Sequence, residues 1–369
     1  MTANGANKLA IFLPSLSGGG AEHAMLNLAH GIASCGYAVD LVLAQAKGPY
    51  LKHVNGTIRL VDLKASRMLS SLPGLTRYLR RERPSALLST LDYANVVALW
   101  ARRLAGTPGR VAVNEQNTIS RSAPNSARRR QRMVLPLVKR FYPWADYIIG
   151  NSQGVADDLV KVTGLPRKRI HILYNPVMTP EAREKARAPL NHPWFEAGQP
   201  PVLLAVGRLT RQKDFPVLLQ AFAQVRQTWP ARLIILGEGP DRSSLEALVN
   251  QLGVEHDVSL PGFVTNPYAY MSRASLFVLS SRWEGLPTVL IEALYCGSPV
   301  VSTDCPSGPR EILRDGQYGQ LVPVGEADAL ARAIERTLAG KTPKPPSESW
   351  KPYELETVVS QYTGLLLGN

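Results

Sequence analysis

The chain has 369 residues, 45% of them hydrophobic, and a formal net charge of +13, so it can bury two cores and is long for a single domain. No apolar run approaches the roughly 18 residues of a membrane-spanning helix, and residues 1–7 lack the charged and hydrophobic regions of a secretory signal. Cys35, Cys296 and Cys305 are odd in number and lack metal-ligand spacing, which suits a reducing compartment. We therefore expect a cytoplasmic protein, free or peripherally associated with the cytoplasmic face of a membrane.

The chain begins with a strand, a glycine-rich turn and a helix. Residues 8–13 are an apolar run of strand length, residues 15–20 form the turn, and residues 21–33 carry apolar positions at helical spacing. A strand at 39–44 follows. A glycine-rich turn between a strand and a helix is typical of dinucleotide-binding sites. Here, however, the Gly-x-Gly-x-x-Gly spacing is absent and no ribose-binding acid follows about 20 residues later. A tight turn without a ligand is the alternative.

Positive charge is concentrated in the first half of the chain. Residues 1–177 carry 24 Lys and Arg against 9 Asp and Glu, a net charge of +15, whereas the remainder carries 18 against 20. Four of these basic residues adjoin an apolar stripe, an arrangement that suits an anionic membrane surface. They are Arg128, Arg129, Arg130 and Arg132. A solvated helix face is the alternative, and no signature of a nucleic-acid partner is present. The stripe consists of Met133, Val134, Leu137, Val138, Phe141 and Tyr142.

A polar, proline-punctuated stretch divides the chain near its middle. Residues 178–200 predict a linker between a first domain at 1–177 and a second at 201–345. A second proline-rich stretch precedes residues 352–369, which predict a terminal helix.

Basic and glycine-rich loops follow the predicted strands of the second half. Residues 202–206 read as a buried strand, and Arg208 and Lys213 follow it before a helix at about 215–227. Both cations should therefore lie at one edge of a sheet. Two solvated cations in a loop are the alternative. Similar loops follow two further strands, at Gly237 to Pro240 and at Gly262 to Val264.

Two glutamates occupy the next strand-to-helix connection. Residues 274–280 form a short apolar run, Pro287 suits the first helical position, and a further strand follows at 300–303. Glu284 then lies at the carboxyl edge of the sheet and Glu292 little more than one helical turn beyond Pro287, so both carboxylates can face one crevice. Free N–H groups at this helix start favour an anion such as phosphate. Charges that merely complement the helix dipole are the alternative for either glutamate.

These motifs resemble those of the retaining nucleotide-sugar glycosyltransferases of family 4, whose signature is a Glu, seven residues and a Glu between two strands. The resemblance covers about 202–323 and, more weakly, the first half. It implies an α/β fold with two Rossmann-like domains facing a cleft, the glycosyltransferase B-type fold. It also implies that the C-terminal helix crosses back to the first domain. The docking stripe would be Tyr353, Leu355, Val358, Val359 and Tyr362.

The resemblance assigns roles to individual residues. Glu284 would contact hydroxyls of the donor sugar, and Glu292 the ribose of the nucleotide. Arg208 and Lys213 would hold the donor pyrophosphate and stabilise its developing charge, commonly about 2.7 to 4 kcal/mol for one well-placed donor. The remaining contacts to the nucleotide sugar would come from Gly18, Gly19, Gly20, Phe263, Val264, Leu286, Pro287 and Thr288.

The expected reaction moves a hexose or N-acetylhexosamine from a UDP-sugar to a hydroxyl of a lipid-linked glycan. The departing phosphate oxygen would take the acceptor proton on the same face of the ring, so no dedicated base is required. Because the sequence has no Asp-x-Asp pair, we expect metal-independent catalysis and no cofactor beyond the nucleotide sugar. The expected partners are the nucleotide sugar, the glycan acceptor and an anionic membrane surface.

In related enzymes a first-domain residue, often a His, approaches the sugar. The corresponding segment here has no His, so Glu115 and Asn117 are acceptor-side candidates only. Two other classes remain open. A nucleotide-sugar epimerase or a phosphorylase of the same fold would need no glycan acceptor. The second class is a noncatalytic sugar-nucleotide-binding protein. The presence of all four residues Arg208, Lys213, Glu284 and Glu292 weighs against this class.

Overall fold

A computed structural model describes residues 8–17, 19–125, 133–343 and 345–368. The chain forms two compact units. The first comprises Met1–Val177 with Pro352–Asn369, and the second comprises Met178–Lys351. Each unit is built on a parallel β-sheet, so the predicted α/β class with two Rossmann-like domains is confirmed.

The first unit contains a seven-stranded sheet in the order β3-β2-β1-β4-β5-β6-β7. Its strands are β1 Lys8–Leu13, β2 Ala38–Leu43, β3 Arg59–Asp62, β4 Ala86–Thr90, β5 Arg110–Glu115, β6 Tyr147–Gly150 and β7 Ile170–Ile172. Alternate residues of β1 enter separate cores on the two faces, with Phe12 in one and Ile11 in the other. Both faces of the sheet are therefore covered, which explains why β1 is apolar along its length.

Helices cover the two faces of this sheet. They are α1 Gly20–Ser34, α2 Leu72–Glu82, α3 Asp92–Ala105, α4 Ile119–Ser122, α5 Val134–Phe141, α6 Gln153–Thr163 and, from the end of the chain, α14 Leu355–Leu367. Val134, Val138 and Tyr142 are fully buried in the core. Half of the apolar stripe predicted to face a membrane therefore packs inside the unit.

Helix α14 returns to the first unit, as predicted, and packs against α1. A Cβ atom on Gly31 of α1 would lie 2.6 Å from Cγ2 of Val359 and 2.8 Å from Cδ1 of Leu355, so the two helices approach at a residue without a side chain. The Nδ2 of Asn114, at the end of the sheet, donates a 2.9 Å hydrogen bond to the buried Tyr362 hydroxyl. This bond fixes the helix relative to the strands.

A cluster of charges lies at the amino edge of the same sheet. Asp40 on β2 forms ion pairs with Lys8 (3.0 Å) and Arg59 and accepts a 2.6 Å hydrogen bond from the Tyr78 hydroxyl. Lys8 also pairs with Glu82 at 2.7 Å. Burial opposes ionisation of Asp40, but the hydrogen bonds from Arg59, Tyr78 and Lys8 outweigh it and hold the pKa of this carboxyl below its ordinary value. The cluster joins three strands to α2.

The second unit contains a six-stranded sheet in the order β10-β9-β8-β11-β12-β13. Its strands are β8 Val202–Val206, β9 Arg232–Leu236, β10 Val258–Gly262, β11 Leu276–Leu279, β12 Val300–Thr303 and β13 Gln320–Val322. The strand order reverses between β8 and β11, which pair in parallel. The carboxyl ends at such a switch point are where open α/β sheets bind ligands.

Helices of the second unit follow these strands. They are α7 Glu181–Arg187, α8 Phe215–Val225, α9 Arg242–Gln251, α10 Pro267–Met271, α11 Thr288–Tyr295, α12 Pro309–Ile312 and α13 Ala327–Leu338. Helix α7 lies in the segment predicted as a linker. Its terminal carbonyls accept hydrogen bonds from Asn266 (to Lys185 O, 2.8 Å) and Ser272 (to Ala186 O, 2.8 Å). Residues 178–200 are thus folded onto the second unit.

Candidate active site

The loops that follow β8 and β11 meet at the switch point of the second sheet. The first loop carries Arg208 and Lys213, and the second carries Glu284. Because the two strands are neighbours and parallel, their following loops lie at the same edge. Residues separated by about 70 positions in the sequence thereby come into contact.

The Glu284 carboxylate is the centre of this contact. Its Oε1 accepts bonds of 2.6 Å from the Lys213 Nζ and 2.6 Å from the Ser281 hydroxyl, and the Gln212 Nε2 lies 3.3 Å from its Oε2. The Glu284 N–H donates to Pro306 O at 2.7 Å, so the loop after β12 fixes the backbone as well. The Lys213 and Glu284 side chains are 16% and 8% exposed, which makes this a nearly buried ion pair.

Glycines allow the loops at this edge to pack closely. A Cβ on Gly207 would lie 3.0 Å from Lys213 Cε, so the lysine stem crosses the backbone of the residue before Arg208. A Cβ on Gly237 would lie 2.0 Å from Gly207 O, and one on Gly239 would lie 2.2 Å from Leu209 O. Any side chain at these positions would displace the loop that holds the lysine.

Arg208 provides a second cation beside the ion pair. It follows β8 by two residues, and its side chain is exposed. Lys213, by contrast, is engaged with Glu284, although an ammonium group has three N–H donors. An anion at this edge would therefore meet one accessible guanidinium and one lysine fixed by a carboxylate.

Glu292 lies on α11 with a separate set of partners. Tyr268 on α10, a buried tyrosine, hydrogen bonds to its carboxyl group. Burial raises the pKa of Glu292 to about 7, although the Tyr268 hydrogen bond and the Lys185 charge favour the ionised form. Leu286 and Pro287 precede this helix and are buried, and Thr288 is its first residue. The two signature glutamates are thus held by different elements.

An exposed aromatic residue follows β10 at the same sheet edge. Phe263 is 61% exposed, whereas Val264 is half-buried. Gly262 has a φ of +90°, and a Cβ there would lie 2.7 Å from Glu238 Oε1. The turn that presents the Phe263 ring therefore requires glycine.

In the first unit, Gly18 lies outside the described residues, so the predicted glycine loop is described only in part. Gly19 precedes α1 in an extended conformation, and Gly20 is the first residue of the helix. A Cβ on Gly19 would lie 2.2 Å from Glu22 Oε2, so this position is also crowded. The first N–H groups of a helix have no partner within it and suit an anion.

The acceptor-side candidates lie at the end of β5. Glu115 is 3% exposed, and its carboxyl accepts hydrogen bonds from Tyr142 and, at 2.9 Å, from Asn95. Burial raises the pKa of Glu115 to about 8, and the nearby Asp92 carboxylate adds to the rise. This burial argues against direct contact of Glu115 with an acceptor. Asn117 is half-buried and its Oδ1 accepts a bond from the Thr118 N–H at 2.9 Å.

Several residues that support the site were missing from the sequence analysis. Gln212, Ser281 and Tyr268 each hold a signature glutamate, and Asp214 pairs with Arg282 beside them. For Gln212 and Ser281, the only signal in the sequence is that they lie close to Lys213 and Glu284. Within the described residues, no group of three or more His, Cys, Asp or Glu side chains is placed to hold a metal ion.

The two units and the cations at the carboxyl edge of the second sheet agree with the known proteins that this chain resembles. Residues 189–354 match the family described as Glycosyl transferases group 1, and residues 18–180 match Glycosyltransferase Family 4. A Campylobacter jejuni protein is 32% identical over 356 residues, covering 90% of each chain. The chain therefore belongs to the family 4 glycosyltransferases.

Two relatives and one solved structure match this chain over most of its length and of theirs. The Campylobacter protein is named N-acetylgalactosamine-N,N'-diacetylbacillosaminyl-diphospho-undecaprenol 4-alpha-N-acetylgalactosaminyltransferase. The lipopolysaccharide core biosynthesis glycosyltransferase LpsE of Rhizobium meliloti is 28% identical, covering 87% of this chain and 86% of its own. HepE from Anabaena, solved with UDP-glucose, has a TM-score of 0.80 at 20% identity and covers 98% of this chain and all of its own. The likeness to HepE shows that this chain and HepE share a fold.

Proposed function

We propose that this glycosyltransferase moves a hexose or N-acetylhexosamine from a UDP-sugar, with retention of configuration, to a hydroxyl of a lipid-linked glycan. The product would be part of a cell-surface polysaccharide or glycan. The names of the Campylobacter and Rhizobium relatives support the acceptor class. The UDP-glucose in the HepE structure supports a UDP-linked donor.

The contact between Lys213 and Glu284 at the switch point carries this proposal. A carboxylate such as Glu284 can accept hydrogen bonds from sugar hydroxyls, and the three N–H donors of Lys213 can contact both Glu284 and a phosphate. With the exposed Arg208, the site offers two cations to the pyrophosphate that leaves. Each well-placed donor of this kind commonly contributes about 2.7 to 4 kcal/mol to catalysis.

The proposed reaction exchanges one bond at the anomeric carbon of the sugar. The bond from this carbon to the phosphate oxygen breaks, and the acceptor oxygen forms the new bond on the same face of the ring. The departing phosphate oxygen takes the acceptor proton. Because the new bond forms on the face from which the phosphate leaves, configuration is retained, and because the phosphate takes the proton, no dedicated base is needed. Arg208 and Lys213 would stabilise the charge on the pyrophosphate while Glu284 orients the sugar.

The nucleotide part of the donor would lie along the remaining loops of the edge. In this arrangement Glu292 accepts hydrogen bonds from the ribose hydroxyls, and the exposed Phe263 ring stacks against the base with Val264 beside it. N–H groups around Leu286 and Thr288 would face phosphate oxygens. The glycine loop before α1, Gly18 to Gly20, would contribute further N–H donors.

Peripheral membrane binding is part of the proposal because the acceptor is lipid-linked. The four arginines Arg128, Arg129, Arg130 and Arg132 lie outside the described residues, but their neighbours suit an interface. Met133 is 63% and Trp144 40% exposed, and the Arg103 guanidinium lies 5.3 Å from the Trp144 ring. Trp and Arg of this kind are typical of the headgroup region of an anionic leaflet. None of the described helices is both long and apolar enough to cross a membrane.

Nucleotide release tests the catalytic proposal. The purified protein is incubated with a panel of nucleotide sugars, with and without membrane lipid extract, and the anomeric configuration of any product is determined by NMR. We expect release of UDP that depends on the lipid extract and a product with the donor's configuration. Release of a free altered sugar or sugar phosphate without extract would favour an epimerase or a phosphorylase, and an inverted product would contradict retention.

Liposome binding tests the membrane proposal. Replacing the four arginines by glutamine removes about 4 kcal/mol of attraction if all lie at the bilayer, so binding to anionic liposomes should fall sharply. Salt should weaken binding of the parent protein through screening, and transfer to a soluble acceptor analogue should survive. Unchanged liposome binding in the variant would contradict a membrane role for these four arginines.

A further inference from the structure

A set of hydrogen bonds ties the loop after β8 to the loop after β11 on both sides of Lys213. The Ser280 hydroxyl donates to Lys213 O at 2.7 Å, and the Arg282 N–H donates to Gln212 O at 2.8 Å. The Gln212 side chain donates in return to Trp283 O at 2.9 Å. The backbone at Lys213 is therefore fixed by the same loop that carries Glu284.

An ion pair completes this connection at the next residue. Arg282 forms two contacts with the Asp214 carboxylate, Nε to Oδ2 at 2.8 Å and an NH2 to Oδ1 at 3.0 Å. The Asp214 side chain is 4% exposed and that of Arg282 is 40% exposed. A carboxylate buried to this extent requires a cation, and the hydrogen bond from the Arg282 guanidinium to Asp214 Oδ1 also fixes the direction of the contact.

Asp214 is also where the backbone changes direction. Its φ is +50°, a left-handed conformation that Asp tolerates better than most residues, and α8 begins at the next residue. Lys213 thus lies between two fixed residues. Gln212 is hydrogen bonded to the loop after β11, and the turn at Asp214 is held by the ion pair with Arg282. A lysine side chain has four rotatable bonds, so the reach of its ammonium depends on where its backbone is held.

We propose that Asp214 and Arg282 are positioning residues that hold the Lys213 ammonium where the pyrophosphate leaves. This inference rests on the proposed role of Lys213 in that step. Neither Asp214 nor Arg282 is assigned a contact with the substrate. The pair acts on the reaction only through the backbone and side chain of Lys213.

The chain offers a matched control at the opposite end of the same helix. Arg226 follows α8 and donates from Nε to Asp257 Oδ2 at 2.8 Å. The two side chains are 29% and 26% exposed. This second Arg–Asp pair lies away from the carboxyl edge of the sheet, so it reports what such a pair contributes to stability alone.

The experiment compares Arg282→Met, Asp214→Asn and Arg226→Met in the parent protein and in the Lys213→Ala variant. Turnover and KM are measured as UDP release from the donor that the panel of nucleotide sugars selects, and Tm is measured in parallel. Asn replaces Asp214 because it also tolerates the left-handed conformation. In the parent, Arg282→Met and Asp214→Asn should each lower kcat on the order of tenfold, since a displacement near 1 Å can cost up to about a hundredfold. Arg226→Met should leave kcat unchanged within about twofold at a comparable loss of Tm.

The Lys213→Ala background separates positioning from stability. There, Arg282→Met should lower kcat by less than about twofold, because residues that act as one unit are not additive. Arg282→Lys, which keeps the charge without the planar guanidinium, should recover part of the parent kcat. An equal loss with and without Lys213, or no loss in any folded variant of the pair, would overturn the inference while leaving the role of Lys213 intact. Full activity of Lys213→Ala itself would instead overturn the proposed function, and the positioning role with it.

Discussion

Two clusters of paired charges in this protein differ in where they lie on a parallel sheet. The Asp40 cluster occupies the amino edge of the first sheet, and the pair of Lys213 and Glu284 occupies the carboxyl edge of the second. Both contain a nearly buried carboxylate that is held by a lysine. Around Asp40 the groups come from strands and a helix, whereas around Glu284 they come from loops that approach closely at glycines. The comparison predicts that the first cluster stabilises the unit and that the second takes part in the proposed reaction.

The sharpest test of this difference is removal of the cations at the carboxyl edge. Lys213→Ala or Arg208→Ala should lower transfer by at least about a hundredfold, because each loses about 2.7 kcal/mol or more of leaving-group stabilisation. The measurement is kcat/KM for UDP release, with circular dichroism to verify folding. A folded variant that keeps activity within about threefold of the parent would exclude that cation from the proposed step.

Removing the carboxylate at the amino edge should have the opposite pattern. Asp40→Asn should lower the free energy of unfolding by about 2 kcal/mol, because charge-assisted hydrogen bonds from three groups are weakened. Below the melting transition, turnover should match that of the parent. Denaturant unfolding and turnover are measured on the same preparation, and a large loss of turnover at unchanged stability would reverse the assignment of the two clusters.

The same cluster has a defined pH dependence. The pKa of Asp40 is lower in the folded protein than its ordinary value of 3.8, so its contribution to stability is complete above the ordinary pKa. That contribution is lost as the pH falls through the lower folded value. The difference in unfolding free energy between the parent and Asp40→Asn should therefore shrink on acidification. A constant difference down to strongly acidic pH would contradict the pKa direction.

Glu292 and Glu284 should separate binding from transfer at the carboxyl edge. Glu292→Ala should weaken UDP binding, whereas Glu284→Ala should impair sugar transfer more than UDP affinity. Because the pKa of Glu292 is raised to about 7, affinity should be greatest above this pH and fall by about fivefold as the carboxyl becomes protonated. Calorimetric titration with UDP at several pH values measures this. Equal affinity losses in both alanine variants, or a pH profile that Glu292→Gln retains, would contradict the division.

The smallest effect is expected from removal of metal ions. In the proposed reaction Arg208 and Lys213 hold the donor pyrophosphate, so we expect no divalent cation to take part. EDTA should leave UDP release unchanged. A loss of activity that manganese restores would show that the donor pyrophosphate is held by an ion rather than by Arg208 and Lys213 alone.

The parallel strands made much of the site predictable from sequence. Lys213 and Glu284 each follow a short apolar run, and parallel neighbours place their following loops together. The packing of distant helices was not predictable in this way. Glu115 is the last residue of β5 and lies at the corresponding edge of the first sheet, but Asn95 and Tyr142 enclose its carboxyl in the core. Local pattern gives the edge on which a residue lies, whereas its exposure depends on which helices cover that edge.

The helix that closes the first unit, α14, follows the whole of the second unit along the chain. Val358, Val359, Tyr362 and Leu366 of α14 belong to the same core as Ile11 and Leu28. The second unit, by contrast, is one continuous stretch, Met178–Lys351. On a ribosome the later unit can therefore complete its core first, while the earlier unit keeps an apolar face of α1 uncovered until α14 has been synthesised. Truncation before α14 would leave that face permanently exposed and should cause aggregation.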